Sequence, residues 1–415
     1  MSSIREYVAA EPLFDNHEHQ GGFAALEGRK GELAFREFVG YANADVATSM
    51  GPDCKAPGNL SDEEFFHWWS FVRTTGYGQA TELTCRSLLG LDYTQANADA
   101  IRDALAEFVR DRNGEQIYDD MLGRANIVGA VNDACWNSPT ELDFFTGREH
   151  PSYYGHALRY DNLLVLSARS DMERLERALD LSIHRLADLD AALDAYTERA
   201  REAGKLVAMK CGLAYRRPLS FEGSSFAEAE TAFEAVMQER PADLRPLHDY
   251  LFHRFVQRAA EFGLPVQVHT GYLAGNWGML GQTNPELLIP ILRRYKNVRF
   301  DLFHAGWPYS EVAGAIGKEF PNVWLDLCWA WTMNPAQMER ILSEWLAAVP
   351  HNKVFAFGGD TGSPFPMLGY ALQARDGIAN VLAEAVERGR YDEATAQQVA
   401  RRIMHANARE FYRVD

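Results

Sequence analysis

Short, mostly apolar runs recur along this chain, separated by longer amphipathic stretches. They are "LFDNHEH" (13–19), "ANIVGAVND" (125–133), "NLLVLSA" (162–168), "KLVAMKCGLAY" (205–215), "LPVQVHTG" (264–271), "VRFDLFHAG" (298–306), "NVWLDLCW" (322–329) and "KVFAFGGD" (353–360). Runs apolar on both faces predict strands of a parallel sheet buried on both sides. The intervening stretches carry helix start signals. Asn284–Pro285 and Asn334–Pro335 each place a capping side chain before a proline at the first helical position, and "SEVAGAIGKEF" starts at Ser310. Eight such strand–helix units predict a (β/α)8 TIM barrel. The competing arrangement is an open doubly wound sheet. Its nucleotide-binding form is disfavoured because "HEHQGGFAAL" after the first strand is not GxGxxG.

Residues 21–124 interrupt the alternation with helical patterns such as "DEEFFHWWSFVRTTG" and "ANADAIRDALAEFVRD". We read 1–415 as a single barrel and 21–124 as a helical insertion after strand 1. Loops that follow strands leave a barrel on its catalytic face, so the insertion is expected to form a lid or cap. The tail "DEATAQQVARRIMHANAREFYRV" predicts a closing amphipathic helix.

Composition narrows the class. Of 415 residues, 47% are hydrophobic, ample for one large core. A formal charge of -17 disfavours nucleic acid and anionic membranes as partners. No run of 18 apolar residues occurs, and the first residues lack a hydrophobic signal core. Five scattered cysteines without a CxxC pair fit a reducing cytoplasm and argue against a cysteine zinc knuckle. The expectation is a cytoplasmic protein that acts on a small molecule.

Ionisable residues interrupt the apolar runs near their C-terminal ends, where a barrel keeps its chemistry. Strict alternation points His17 and His19 to one face, with Asp15 beneath them and Glu18 on the other side. Lys210, His269, His304 and Asp360 end strands four, five, six and eight. Singly, each has a structural explanation, such as a hydrogen-bonded histidine or a turn-capping aspartate. Jointly they point to a metal site, because neutral imidazoles and a carboxylate hold zinc or a similar divalent ion with a position left for water. The expected ligands are His17, His19, His269 and Asp360. Asp360 is also the expected proton shuttle, with His304 on the substrate carbonyl or oxyanion and Asp15 orienting a ligand histidine.

These residues carry a resemblance. His-x-His on strand one, Lys on four, His on five and six and Asp on eight resemble the amidohydrolase superfamily, in particular its amidohydrolase-2 branch. "PVQVHTGY", "FHAGWPYSEV", "NVWLDL", "VFAFGGDTGSPF", "MKCGLAYRRPL" and "IMHANAREFY" are similar to the amidohydrolase-like domain of nodulin-type glutamine-synthetase fusion proteins. The likeness covers most of 125–415 and the first strand, and is weak over 21–124. It implies His17, His19 and His269 as ligands, with Asp360 as ligand and base. It implies one zinc ion, with manganese as the alternative; a second ion bridged by a carboxylated Lys210 occurs in binuclear relatives. His304 is then a second-ion ligand or a substrate contact.

At the rim, Tyr215, Arg216 and Arg217 follow strand four and Trp307 follows His304. The arginines are candidates to clamp a substrate carboxylate and Trp307 to wall the pocket; the alternatives are loop salt bridges and packing under the lid. Asp326, inside strand seven, reads as structural. The leading expectation is a metal-dependent hydrolase of a C–N (amide, lactam or amidine-like) or ester/lactone bond. Decarboxylases resembling this family often replace the first histidine, which this chain keeps. Uronate isomerases keep the pair and share a large helical insertion, so an isomerase or lyase stays open, as does a non-catalytic scaffold. A homo-oligomer is the expected assembly.

Overall fold

The computed structural model describes residues 3–52, 55–133, 145 and 148–414. Its strands are β1 (Leu13–Glu18), β2 (Ile127–Asn132), β3 (Tyr154–Leu158), β4 (Leu206–Cys211), β5 (Val266–Val268), β6 (Phe300–Leu302), β7 (Val323–Asp326) and β8 (Val354–Phe355). They form one eight-stranded sheet in chain order, every pair parallel. The sheet closes through the segment after β8. Asn16 N–H donates to Phe357 O at 3.1 Å, Asp360 N–H to His17 O at 2.8 Å and His19 N–H to Thr361 O at 2.9 Å. The molecule is therefore the (β/α)8 barrel that the alternation predicts.

Two local features depart from the sequence pattern. The third strand is "YGHAL", not the more apolar "NLLVLSA", whose start forms the helical turn Asp161–Leu164. Leu163, Leu164 and Leu166 are buried there as a connector, so apolarity alone misplaces the strand. Gly155 explains the choice: a Cβ at this position would overlap the side chain of Val207 on β4. The second departure is in β1, whose pairing with β2 slips between Asp15 and Glu18. A bulge adds one residue and reverses the inward–outward phase. Asn16 faces inward, donating to Asp326 Oδ1 at 3.3 Å. Asp15 and Glu18 instead both turn to the Gly359–Thr361 segment.

Between β1 and β2 the chain forms helices at Phe23–Gly28, Ala42–Met50, Asp62–Val72, Gly76–Leu89, Ala98–Arg110 and Gly114–Ala125. An aromatic cluster of Phe35, Phe65, Phe66, Trp69 and Tyr93 holds them together. Ser61 and Asn113 cap two of the helices with reciprocal side-chain bonds. The group docks on the long helix Pro364–Glu387, where Gly369 N–H donates to Thr84 Oγ1 at 3.0 Å. Elsewhere Asn334 caps Pro335–Ala348, and Asn284 caps the turn Pro285–Leu288 leading into Ile289–Arg294. The C-terminal helices bring Phe411 and Tyr412 against Phe14 and Phe355, plugging the barrel interior.

Candidate metal and substrate site

At the C-terminal ends of the strands lies a cleft of about 570 Å³. Four of the residues singled out from the sequence as ligands or catalytic groups, His19, Lys210, His269 and Asp360, open on it together with Tyr215. The other two, His17 and His304, are fully buried at its floor. Positive φ angles recur just past the last strands: His304 at 64°, Trp329 at 61° and Asp360 at 53°. Left-handed backbone at a non-glycine residue is costly, and its concentration here fits a site whose side chains are aimed at the expense of local stability.

Hydrogen bonds fix the tautomers. A carbonyl only accepts, so the ring nitrogen facing one carries the proton. His19 Nδ1–H donates to Asp133 O at 2.6 Å, His269 Nε2–H to Tyr272 O at 2.8 Å and His304 Nδ1–H to Cys328 O at 3.0 Å. The opposite nitrogens thus turn bare lone pairs inward. His19 Nε2 is 3.1 Å from Asp360 Oδ1, and His304 Nε2 is 3.6 Å from Asp360 Oδ2. His304 Nε2 and His269 Nδ1 lie 2.9 Å apart, lone pair against lone pair. Among the described residues, both nitrogens of His17 are buried without a hydrogen-bond partner, with Nε2 3.9 Å from Asp360 Oδ1.

This donor set fits a divalent cation. Unpaired buried imidazoles are costly, and facing lone pairs repel unless a positive charge lies between them. Two ligands about 2.1 Å from one tetrahedral ion are roughly 3.4 Å apart, close to the spacings around Asp360. Among the described residues, two groups have one ligand atom from each member within 4.8 Å of one another: His17, His19 and Asp133; and His304, Cys328 and Asp360.

The electrostatics agree. Burial, reinforced by the positive charge of Lys210, keeps His17 well below the usual histidine range. Burial and the neighbouring His304 do the same to His269, and burial brings His304 down to about 4. These imidazoles are therefore neutral and able to ligate at pH 7. Burial alone would raise Asp360, but its hydrogen bond with His19 and positive charge at the surrounding imidazoles, which a bound cation would supply in place of protons, hold it well below the carboxylate range; Asp360 in turn raises His19 against the effect of burial.

Some expected residues lie elsewhere. Arg216 donates to Asn162 Oδ1 at 2.9 Å, and Arg217 pairs with Asp249 at 2.6 Å; neither lines the cleft. The 3-10 turn Leu213–Tyr215 carries them past the rim, leaving Tyr215 facing inward. Trp307 donates to Gln337 at 2.8 Å and packs on Tyr272, also outside the cleft lining. Asp15 accepts from the backbone N–H of His17 and Gly359, so backbone carbonyls rather than Asp15 orient the imidazoles. Asp326 accepts from Cys328 N–H at 2.7 Å beneath the site, a structural task.

Sequence reading missed Asp133 and Arg159. Asp133 directly follows β2; its Oδ2 lies 3.9 Å from His17 Nε2 and 3.4 Å from Arg159 Nη1. Arg159 follows β3, pairs with Asp161 at 2.7 Å and lines the cleft. Asp133 ends the run "ANIVGAVND" and was legible as a strand-end carboxylate. Arg159 was hidden by the displaced third strand.

Relatives place the chain. It is 23% identical to Protein fluG of Emericella nidulans over 446 aligned residues, covering 100% of this chain and 47% of fluG, so the chain spans about half of that relative's length. Its fold matches the uronate isomerase of Thermotoga maritima with a TM-score of 0.80 at 14% identity, covering 99% of this chain and 96% of the isomerase. The glucuronate isomerase of Caulobacter crescentus gives 0.76 at 15% identity (99% and 93% covered). A metal-dependent hydrolase candidate from Lactobacillus casei gives 0.68 at 17% identity (99% and 97%). These likenesses establish the barrel and not its reaction. Residues 166–414, which hold the strand-end lysine, both later histidines and the aspartate, match the amidohydrolase family model, and the chain belongs to that family.

Proposed function

We propose that the protein is a metal-dependent hydrolase that cleaves a C–N bond (amide, lactam or amidine-like) or an ester or lactone bond of a small molecule. The observation that carries this reading is the set of imidazole lone pairs converging on the Asp360 carboxylate. His17, His19, His269 and Asp360 would hold a divalent ion, zinc first and manganese second, with Asp133 beside them. Bound there, the ion supplies Lewis acidity and a water whose pKa falls toward about 7.

Asp360 is anionic, as a base must be, and sits among the ligands with both oxygens close to imidazoles. It accepts the proton of the attacking water and returns it to the leaving nitrogen or oxygen. His304 is held by Cys328 O and directs its other nitrogen to the same centre, where it serves the substrate oxygen. The insertion covers the cleft as a cap: Glu37 and Tyr41 line it, and Ser363 Oγ donates to Glu37 Oε1 at 2.7 Å. The narrower likeness to nodulin-type fusion domains fits a relative about twice this length.

Elemental analysis of purified protein, with a chelator control, tests the metal; a metal-free active protein contradicts the reading. Asp360→Asn should retain the fold and lower kcat by about 10²–10⁴-fold. A near-normal rate removes Asp360 from the proton path. A second reading, isomerisation of a sugar acid, is favoured by the likeness to uronate isomerases over 99% of the chain. In ordinary water hydrolysis gives products whose summed mass exceeds the substrate's by one water, whereas isomerisation of a uronate leaves the mass unchanged. Light scattering tests the proposed homo-oligomer.

A further inference from the structure

Lys210 stands apart from the other charges of the cleft. It projects from β4, is 2% exposed and opens on the cleft. Among the described residues it makes no hydrogen bond and no ion pair. Its ammonium instead rests on the face of Phe303, 3.7 Å from the ring centre. A buried cation held only by an aromatic ring is under-compensated. Its surroundings worsen this. Arg159 lines the same cleft, and the site beside it is the one proposed to hold a divalent cation. The nearby carboxylates serve other partners: Asp161 and Asp133 face Arg159, and Asp360 faces the histidines. Arg29 and Arg36 line the cleft as well, but Arg29 pairs with Glu37 and Arg36 with Asp62, so among the described residues of the lining Lys210 is the cation that faces the cleft with no carboxylate on it.

We propose that the substrate carries a carboxylate that docks on Lys210, beside Arg159, while its reacting bond faces Asp360 and the histidines. The inference deepens the hydrolase reading and rests on it for the second half of that statement. A carboxylate supplies the acceptor that Lys210 lacks and places a negative charge between the lysine and the bound metal. This gives Lys210 the role assigned to Arg216 and Arg217 from the sequence. Lys210 is then a plain ammonium and not a carboxylated bridge between two ions.

The test uses zinc-loaded full-length protein and two probes differing in one group, N-acetylglycine and the neutral N-acetylglycinamide, titrated by calorimetry. The wild type is expected to bind the carboxylate at least about tenfold more tightly, and Lys210→Met to lose that preference while keeping its zinc. Lys210→Arg, which keeps the charge, should retain part of it. Three results overturn the proposal. The wild type binds both probes alike, or neither. The preference survives in Lys210→Met, showing that the carboxylate sits on the metal. Intact-protein carbon-13 spectra show a carbamate on Lys210. If Lys210→Met does not fold, the wild-type comparison and Lys210→Arg still decide. Carboxylate preference without hydrolysis of any carboxylate-bearing amide, lactam, amidine, ester or lactone would sink the hydrolase reading alone; equal hydrolysis of neutral amides without that preference would sink only this inference.

Discussion

Asp133 shows how one side chain acts at two places in the site. Its backbone carbonyl fixes the His19 tautomer, and its carboxylate lies between His17, His19 and Arg159. Asp133→Asn keeps the carbonyl and removes the charge. It should weaken metal retention by about 10–100-fold, measured by chelator competition; unchanged retention would confine the side chain to holding Arg159. A second buried carboxylate lies deeper. Asp301 accepts from Tyr412 OH at 2.5 Å, and burial pushes it up to about 7 against the lowering effect of that hydrogen bond, the charge of Lys210 and the hydrogen bond with Asp326. An unfolded aspartate titrates near 4. Between those values the folded state binds more protons than the unfolded one, so this group's contribution to stability falls as pH rises from about 4 to about 7 and levels off above. Asp301→Asn cannot titrate. The stability difference between variant and wild type, from urea unfolding, should shift toward the variant across that window and be flat elsewhere.

At the scale of elements, the bulge in β1 and the turns after β6 and β8 do what alternation cannot. The bulge lets Asn16 face inward and the adjoining His17 and His19 face the site as well. Left-handed backbone at His304 and Asp360 turns their side chains into the centre. One of the contacts that dock the insertion is a close helix crossing. At Gly369 a Cβ would overlap Ala80 O and Thr84 Oγ1, so Gly369→Leu should force the helices apart and lower stability by about 1–3 kcal/mol. The same change should raise KM, because the insertion lines the cleft through Tyr41 and Glu37. Gly123, in the helix Gly114–Ala125, has open space at its Cβ position. Gly123→Ala should therefore stabilise by about 0.5–1 kcal/mol; calorimetric melting of the pair distinguishes crowding from helix propensity.

For the whole molecule, the proposed metal would be a folding ligand as well as a reagent. The centre joins residues from β1, the loop after β2 and the segments after β5, β6 and β8. Stripping the ion leaves the His17 nitrogens unpaired and the His269 and His304 lone pairs opposed in the core. At an ion concentration 1,000 times its Kd, removal should cost about 4 kcal/mol, read as a fall in Tm reversed by adding zinc. A Tm indifferent to chelator would mean that the cluster holds no ion. Among the described residues no helix is long and apolar enough to cross a membrane.

The order of apolar runs determined the barrel, because eight parallel strands buried on both faces write a periodic signal that no local exception erases. The same reading assembled His17, His19, Lys210, His269, His304 and Asp360, because strand ends meet in a closed barrel whatever their register. Tertiary structure decided the rest. Which of two apolar runs paired as β3 depended on Gly155 clearing Val207, and with it went Arg159 at the strand end. Whether an arginine faces the cleft or an aspartate outside it depended on a single 3-10 turn after β4. A one-residue bulge placed Asp15 behind the histidines rather than beneath them. These are contests between nearly equal local choices, settled by packing partners distant in the sequence, and a linear pattern carries no term for them.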